Sequence, residues 1–404
     1  MILESIISQV VEQQDKRLLA RDTGLKREIS LSTKSLSSHA LIISGVRRCG
    51  KSTLLMQMMQ EFDRASILFL NFESPQLYEF SLSDFMRLDN LIAQKGATIL
   101  FLDELQLVEG WEMYVRQKID EGFRVVITGS NASLLSKELG TRLTGRHITK
   151  ELFPFSYSEF LNFKSLSPGS ESLTIYMHTG GFPEYVKTGD EEQLATLFED
   201  VLIRDIVTRY GIKDIKSLHR LATYLISNIG NRITATKLKQ PMSIGATSTI
   251  LSWFSYLEFS YLVSFLPQFS HSSKAQLINP RKVYAVDLGL VNIISNTMTE
   301  DLGRKLENLV FLHLRKKYTE LYYFDGKGEC DFVAIKNGEV AELVQVCYEL
   351  NADNLKRELN GLTRAMHFFG IEKACIVTFS NSDSIQELNV EIEVIPAYKY
   401  LIEK

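Results

Sequence analysis

Through the first third of the chain, short apolar runs alternate with longer stretches whose apolar residues recur every three or four positions. The runs are "LIISG", "SILFLNFE", "TILFLDELQ" and "RVVITGSN", starting at residues 41, 66, 98 and 124. Continuous apolar runs rich in β-formers are what strands covered on both faces require. Between them "KSTLLMQMM", "SLSDFMRLDNLIAQKG" and "GWEMYVRQKIDEG" carry the helical period. The alternation predicts βαβ units around a buried parallel sheet. Ahead of it, Ile2, Ile6 and Val10 share one face of a predicted surface helix.

Beyond residue 160 the pattern changes twice. Residues 173–214 read as helices interrupted by Gly180-Gly181-Phe182-Pro183, a tight turn fixed between them. Residues 217–263 give three helical stretches, and "LVSFLPQFS" then reads as a strand. From about 275 the helix "KLENLVFLHLRKKY" precedes two alternating strands joined at Lys336-Asn337-Gly338. We expect domains at 1–160, 161–213, 214–272 and 273–404.

The first strand ends in a turn with chemistry in it. Gly45 and Gly50 bracket four residues, and Lys51-Ser52 follow, the spacing of a phosphate-cradling loop. Gly45, Val46, Arg47, Arg48, Cys49, Gly50, Lys51, Ser52 and Thr53 are the expected nucleotide-binding residues. Lys51 can reach the β- and γ-phosphates, and the Ser52 hydroxyl can ligate Mg2+. The third strand delivers Asp103 and Glu104 to the carboxyl end of the sheet, where ligands of open α/β sheets bind. Asp103 is the expected partner of Mg2+, and Glu104 the group that polarises the attacking water. ATP and Mg2+ are therefore the expected cofactors.

Composition narrows the setting. The 404 residues are 45% hydrophobic and 23% charged, with a net charge of −4, as in a soluble globular chain. Four scattered cysteines with no paired spacing predict reduced thiols and a cytoplasmic setting. No apolar run reaches membrane-spanning length, and the start lacks a signal-peptide pattern. Positive charge is concentrated in one place: residues 215–274 hold six Lys or Arg against one acid, Glu258. Arg232, Lys237 and Lys239 are the candidate DNA contacts, although the same module could serve as a lid or a protein-contact surface.

The order of phosphate loop, further strand and Asp-Glu pair resembles the AAA+ ATPases, and "LFPFSYSEFL", "GGFPE" and "RDIVTRYGI" resemble one bacterial and archaeal branch of AAA-type ATPases. The resemblance implies an α/β fold: a P-loop NTPase with the parallel sheet of that class, then a winged helix-turn-helix, then a C-terminal α/β restriction-endonuclease-like domain. It implies a polar residue at the end of "RVVITGSN" that orients water, Asn131 ahead of Ser130. It implies an arginine finger at Arg142 or Arg146, the alternative being a surface salt bridge. It places Arg204, Asp205 and Arg209 near the nucleotide or a subunit boundary, and it makes a homo-oligomer an expected state. In nucleases of that fold a helix glutamate, a strand aspartate and a later Glu-x-Lys gather metal. Glu307 and Asp331 match the first two, but Gln345 and Cys347 stand where the last pair belongs. A neutral amide and a thiol cannot replace an acid and a cation there, so the expected nuclease site is vestigial. The expected function is a Mg-dependent ATPase coupling its nucleotide state to DNA. The alternatives are a nucleotide-controlled scaffold for protein partners and an ATP-dependent nuclease.

Overall fold

The computed structural model describes residues 1–19, 22–29, 36–131, 143, 145–295, 301–326, 328–387 and 390–403. It divides into two units, Met1–Phe153 and Pro154–Lys404.

In the first unit, strands β1 (Ala40–Ser44), β2 (Ile67–Asn71), β3 (Ile99–Asp103), β4 (Arg124–Gly129) and β5 (His147–Glu151) form one sheet in the order β2-β3-β4-β1-β5. Every neighbouring pair is parallel. The expected helices follow at Lys51–Met59, Phe85–Lys95 and Trp111–Asp120. The N-terminal helix, Glu4–Leu19, buries Ile7, Val10 and Val11 with the sheet core. In sequence β2 separates the phosphate loop from the acidic strand, but in space β4 does. That order sets the end of β4 between Lys51 and Asp103.

Strands β1, β2 and β3 end in a polar residue at the carboxyl edge, and β4 carries Thr128 one residue before its end. Register pairs Asn71 with Asp103, and Leu102 with Ile127, so Thr128 comes next to Asp103. Ser44 lies opposite Gly129 on β1. The apolar stretch of each strand fills the core, and the residue that follows it emerges where the loops gather.

In the second unit, β6 (Arg232–Ile233), β7 (Val263–Leu266) and β8 (Arg281–Ala285) form a small antiparallel sheet in the order β6-β8-β7. Helices Ile215–Ser227, Ala235–Leu238 and Thr247–Phe259 are interleaved with it. β8 pairs with both other strands, so this sheet crosses the boundary expected at 272. Strands β9 (Glu320–Asp325), β10 (Glu329–Lys336), β11 (Glu339–Cys347), β12 (Lys373–Thr378), β13 (Asp383–Glu387) and β14 (Val390–Pro396) make a mixed sheet ordered β13-β14-β12-β11-β10-β9. Helix Leu355–Phe369 buries Leu362, Ala365 and Met366 against it.

The first unit ends at Phe153, short of the expected 160. Phe155 N donates to Gly181 O at 2.7 Å and Tyr176 Oη donates to Phe155 O at 2.7 Å, which ties the segment to the second unit's glycine turn. Gly180 there has φ 74°, and a Cβ would lie 2.3 Å from Asp287 Oδ1. Only glycine fits that approach. Asp287 accepts from the Gly181 amide at 2.6 Å and caps helix Leu288–Ile294 through Leu290 N at 3.1 Å. The helical stretch after the turn ends in a π-helix, Val201–Thr208, which the sequence did not predict.

Candidate active site

The loop between β1 and the helix Lys51–Met59 is shaped by its end. Gly50 caps that helix with φ 103° and no side-chain cap, so the first helical amides are left to an incoming anion. Lys51 is buried, and its Nζ donates to the carbonyls of Gly45 at 3.0 Å and Val46 at 3.2 Å. It lies 3.6 Å from Glu104 Oε1. Burial works against its charge, but Glu104, Cys49 and Asp103 together hold its pKa above the usual value. Arg47, in the same loop, pairs with Glu73 at 2.8 Å.

Across the sheet edge, Ser52 Oγ donates to Asp103 Oδ2 at 2.8 Å. Asn71 Nδ2 donates to the same oxygen at 2.7 Å, and the Thr128 hydroxyl donates to Oδ1. Burial, with Glu104 alongside, pushes Asp103 up to about 6 against these hydrogen bonds. Glu104 shows the reverse balance. Burial opposes its charge, but Lys51, the Gln106 amide, Arg47 and the Ser130 hydroxyl hold it below the usual carboxylate range. Its backbone sits in the left-handed region at φ 54°, uncommon for a residue with a Cβ and seen where a site over-determines the conformation. Thr128 Oγ1 accepts from Glu104 N at 3.1 Å and fixes that turn.

Thus Lys51, Ser52, Asp103 and Glu104 converge, with Ser130 on Glu104. Asn131 is 1% exposed beside it at the end of β4. Arg146 Nη1 pairs with Asp120 Oδ1 at 2.6 Å on a partly exposed surface, and Arg142 lies outside the described residues.

Sequence reasoning passed over Asn71, Thr128 and Gln106. The first two were marked by ending apolar runs abreast of "ILFLD". Arg27 was missed too. It donates from Nη1 to Cys49 O at 2.8 Å and from Nη2 to Phe153 O at 2.7 Å, clipping the phosphate loop to the chain after β5. Nothing in its own segment signalled that.

In the second unit Glu307 and Asp331 do meet, on a residue the sequence reading did not name. Lys282 Nζ, on β8, lies 2.8 Å from Glu307 Oε1, 2.7 Å from Asp331 Oδ1 and 2.5 Å from Glu329 Oε1. The visible signal was a lysine inside the apolar strand "KVYAV". Gln345 stands close by but is occupied. Its Oε1 accepts from Asp331 N at 3.1 Å and its Nε2 donates to Glu358 Oε2 at 2.8 Å. Glu342 faces the other way, toward Lys317 at 2.7 Å and Tyr318 Oη at 2.7 Å, as strand alternation requires. Of the candidate DNA contacts, Lys237 and Lys239 are exposed. The Arg232 guanidinium is held by Asp325 and Glu329, each at 2.5 Å.

A family model described as an AAA domain matches residues 37–161, and one described as a domain of unknown function (DUF8612) matches residues 170–301. An uncharacterized protein of Methanocaldococcus jannaschii is 32% identical over 99% of this chain and 96% of its own length. Another, from Haemophilus influenzae, is 32% identical over 83% of this chain and 88% of its own. A solved signal-transduction ATPase with numerous domains from Pyrococcus horikoshii, bearing a tetratricopeptide-repeat sensor, aligns over 74% of this chain at 15% identity. Its TM-score is 0.27 and this chain spans 47% of it, so that likeness carries no argument. Among the described residues no helix is long and apolar enough to cross a membrane.

Proposed function

The chain belongs to the family of these Methanocaldococcus jannaschii and Haemophilus influenzae proteins, and on that premise we propose that its AAA domain binds ATP with Mg2+ and hydrolyses it. The observation that carries this reading is the hydrogen bond of Ser52 to Asp103, beside Lys51 and Glu104. A hydroxyl and a carboxylate already paired are the oxygen donors a Mg2+ ion needs next to phosphates. Mg2+, when bound, neutralises charge on the β- and γ-phosphates. Residues 45–53 would wrap the phosphates, with Lys51 exchanging two carbonyl partners for phosphate oxygens. Glu104, kept ionised by its neighbours, would take the proton of the attacking water. Ser130 and Asn131 would orient that water. Arg146, the candidate finger, would act as one only after leaving Asp120, with Arg142 as the other possibility.

The finer reading is that nucleotide state is coupled to DNA. It is supported by Lys237 and Lys239, exposed around a helix that Thr234 caps. A second reading, a nucleotide-controlled scaffold for protein partners, is favoured by the engagement of Arg232 with two acids. An ATP-dependent nuclease is disfavoured by Gln345 and by the lysine among the carboxylates. A homo-oligomer and a cytoplasmic setting belong to the same proposal.

The test is Mg-dependent ATP turnover by wild type and Glu104→Gln, each with and without duplex or branched DNA at two salt concentrations. We expect turnover that Glu104→Gln abolishes without loss of ATP binding. Stimulation by DNA that fades with salt supports coupling. Turnover indifferent to DNA, with no DNA binding at low salt, leaves the scaffold, and no turnover at all overturns the enzyme.

A further inference from the structure

We propose that Lys282 is a built-in cation filling a divalent-metal position in the second unit, so that this carboxylate site is closed to metal until the lysine is removed. The inference does not depend on ATP hydrolysis in the first unit.

A lysine ammonium has three donors. Here three carboxylate oxygens, from Glu307, Glu329 and Asp331, lie at 2.8, 2.5 and 2.7 Å from one Nζ. Nζ donates charge-assisted hydrogen bonds to Glu307 and Asp331, and Glu329 completes the ring of carboxylates as an ion pair. The ammonium is buried and turned onto carboxylates rather than toward a water or a phosphate, which argues against Lys282 as a relocated nuclease lysine. Lys282 is 2% exposed and Asp331 is 6% exposed, while the Glu329 side chain, 35% exposed, forms the open rim of the site.

The carboxylates come from separate elements: Glu307 from helix Leu302–Lys317, Glu329 and Asp331 from the start of β10. Other groups aim them inward. Tyr284 Oη donates to Glu307 Oε1 at 2.7 Å, and Val346 N donates to Asp331 Oδ2 at 2.9 Å. Arg232 holds the second oxygen of Glu329 at 2.5 Å. Hard oxygen donors, each oriented by a further hydrogen bond, are what Mg2+ or Mn2+ takes; with the lysine in place, no three such groups among the described residues are set to hold a metal ion. The difference is that the cation reaches in on a side chain from β8. Such a cation cannot dissociate, and it ties the small sheet to the helix and to β10. Burial would depress the lysine, but Asp331, Tyr284, Glu307 and Glu329 hold its pKa well above the ordinary value, so it remains charged.

Mn2+ binding to the nucleotide-free full-length chain tests this, followed by the paramagnetic resonance of free Mn2+. The chains are wild type, Asp331→Asn, Lys282→Met and Lys282→Met/Asp331→Asn. The expected result is that Lys282→Met binds one Mn2+ per chain more than wild type does and that the double variant loses the gain. Two outcomes overturn the proposal: a folded Lys282→Met with no added site, or wild type holding an ion that Asp331→Asn alone removes. Should Lys282→Met unfold without metal, its thermal midpoint against Mn2+ reads the same site. A rise absent from the double variant supports the proposal, and no rise overturns it.

Discussion

Of the buried lysines that face carboxylates among the described residues, Lys51 and Lys282 are held in opposite ways. Lys51 leans on two backbone carbonyls at 3.0 and 3.2 Å, with the Glu104 carboxylate at 3.6 Å. Neutral carbonyls are weak partners for an ammonium, and an incoming phosphate can displace them. Lys282 is locked by three carboxylates at 2.5–2.8 Å. The first arrangement leaves a cation available to a ligand, whereas the second makes the cation part of the fold. Burial alone therefore does not identify a functional lysine; what distinguishes the two is whether its partners can be exchanged.

The largest effect expected is on chemistry in the first unit. Glu104→Gln keeps the shape and removes the base, so turnover should fall about 10²- to 10⁴-fold, the usual worth of general-base catalysis. Stopped-flow or radiometric hydrolysis checks this, and a variant within a few fold of wild type would end the assignment. The lysines come next. Lys282→Met strands three carboxylates and should cost roughly 3–5 kcal/mol in urea unfolding of metal-free protein, the cost of breaking a buried ion pair from one side. Lys51→Met leaves only carbonyls and a distant Glu104, so it should cost well under half of that while abolishing tight nucleotide binding. Equal costs would erase the contrast.

The phosphate loop and the acidic strand were legible because their chemistry is local. Gly45 to Thr53 and Asp103-Glu104 sit at fixed spacings on predictable elements, and a parallel strand must end where ligands bind. Lys282 was illegible because its partners lie on a helix and a strand 25 and 49 residues away. Nothing in "RKVYAV" says which acids will meet it. Asn71 and Thr128 fall between these cases: their strands were predicted, but their meeting on Asp103 needed the sheet order. That β8 pairs across residue 272 with β6 and β7 was equally out of reach, because strand pairing is not written in local periodicity.

Asp287 is a buried acid held, among the described residues, by backbone amides rather than by a cation. Burial raises it to about 6, while the amides of Gly181, Leu290 and Gly289 pull down. Its folded pKa lies above its unfolded value near 3.8. The sign follows: the protonated form is favoured on folding, so the stabilisation is complete below about 4 and is lost as pH rises through about 6. A shift of two units corresponds to about 3 kcal/mol across that window. Urea midpoints between pH 4 and pH 7.5 should show this decline in wild type and a flatter profile in Asp287→Asn. Parallel profiles would mean that the amides, rather than burial, set its charge.

The smallest expected effect is also the sharpest test of the locked site. Gln345→Glu restores the acid that the nuclease pattern lacks. Its oxygen can still accept from the Asp331 amide, but the donor to Glu358 is lost and two carboxylates then face each other. Glu358 keeps Arg357 at 2.6 Å, which limits the damage, so the cost should be about 1–3 kcal/mol, that of one buried hydrogen bond left unmade. The new carboxyl has a raised folded pKa, so the deficit against wild type should be clear at pH 8 and shrink toward pH 5. With Lys282 in place the variant should gain no Mn2+, because the acid returns to a position whose cation has not left. If Gln345→Glu alone bound Mn2+, the missing acid rather than the resident lysine would be what closes the site.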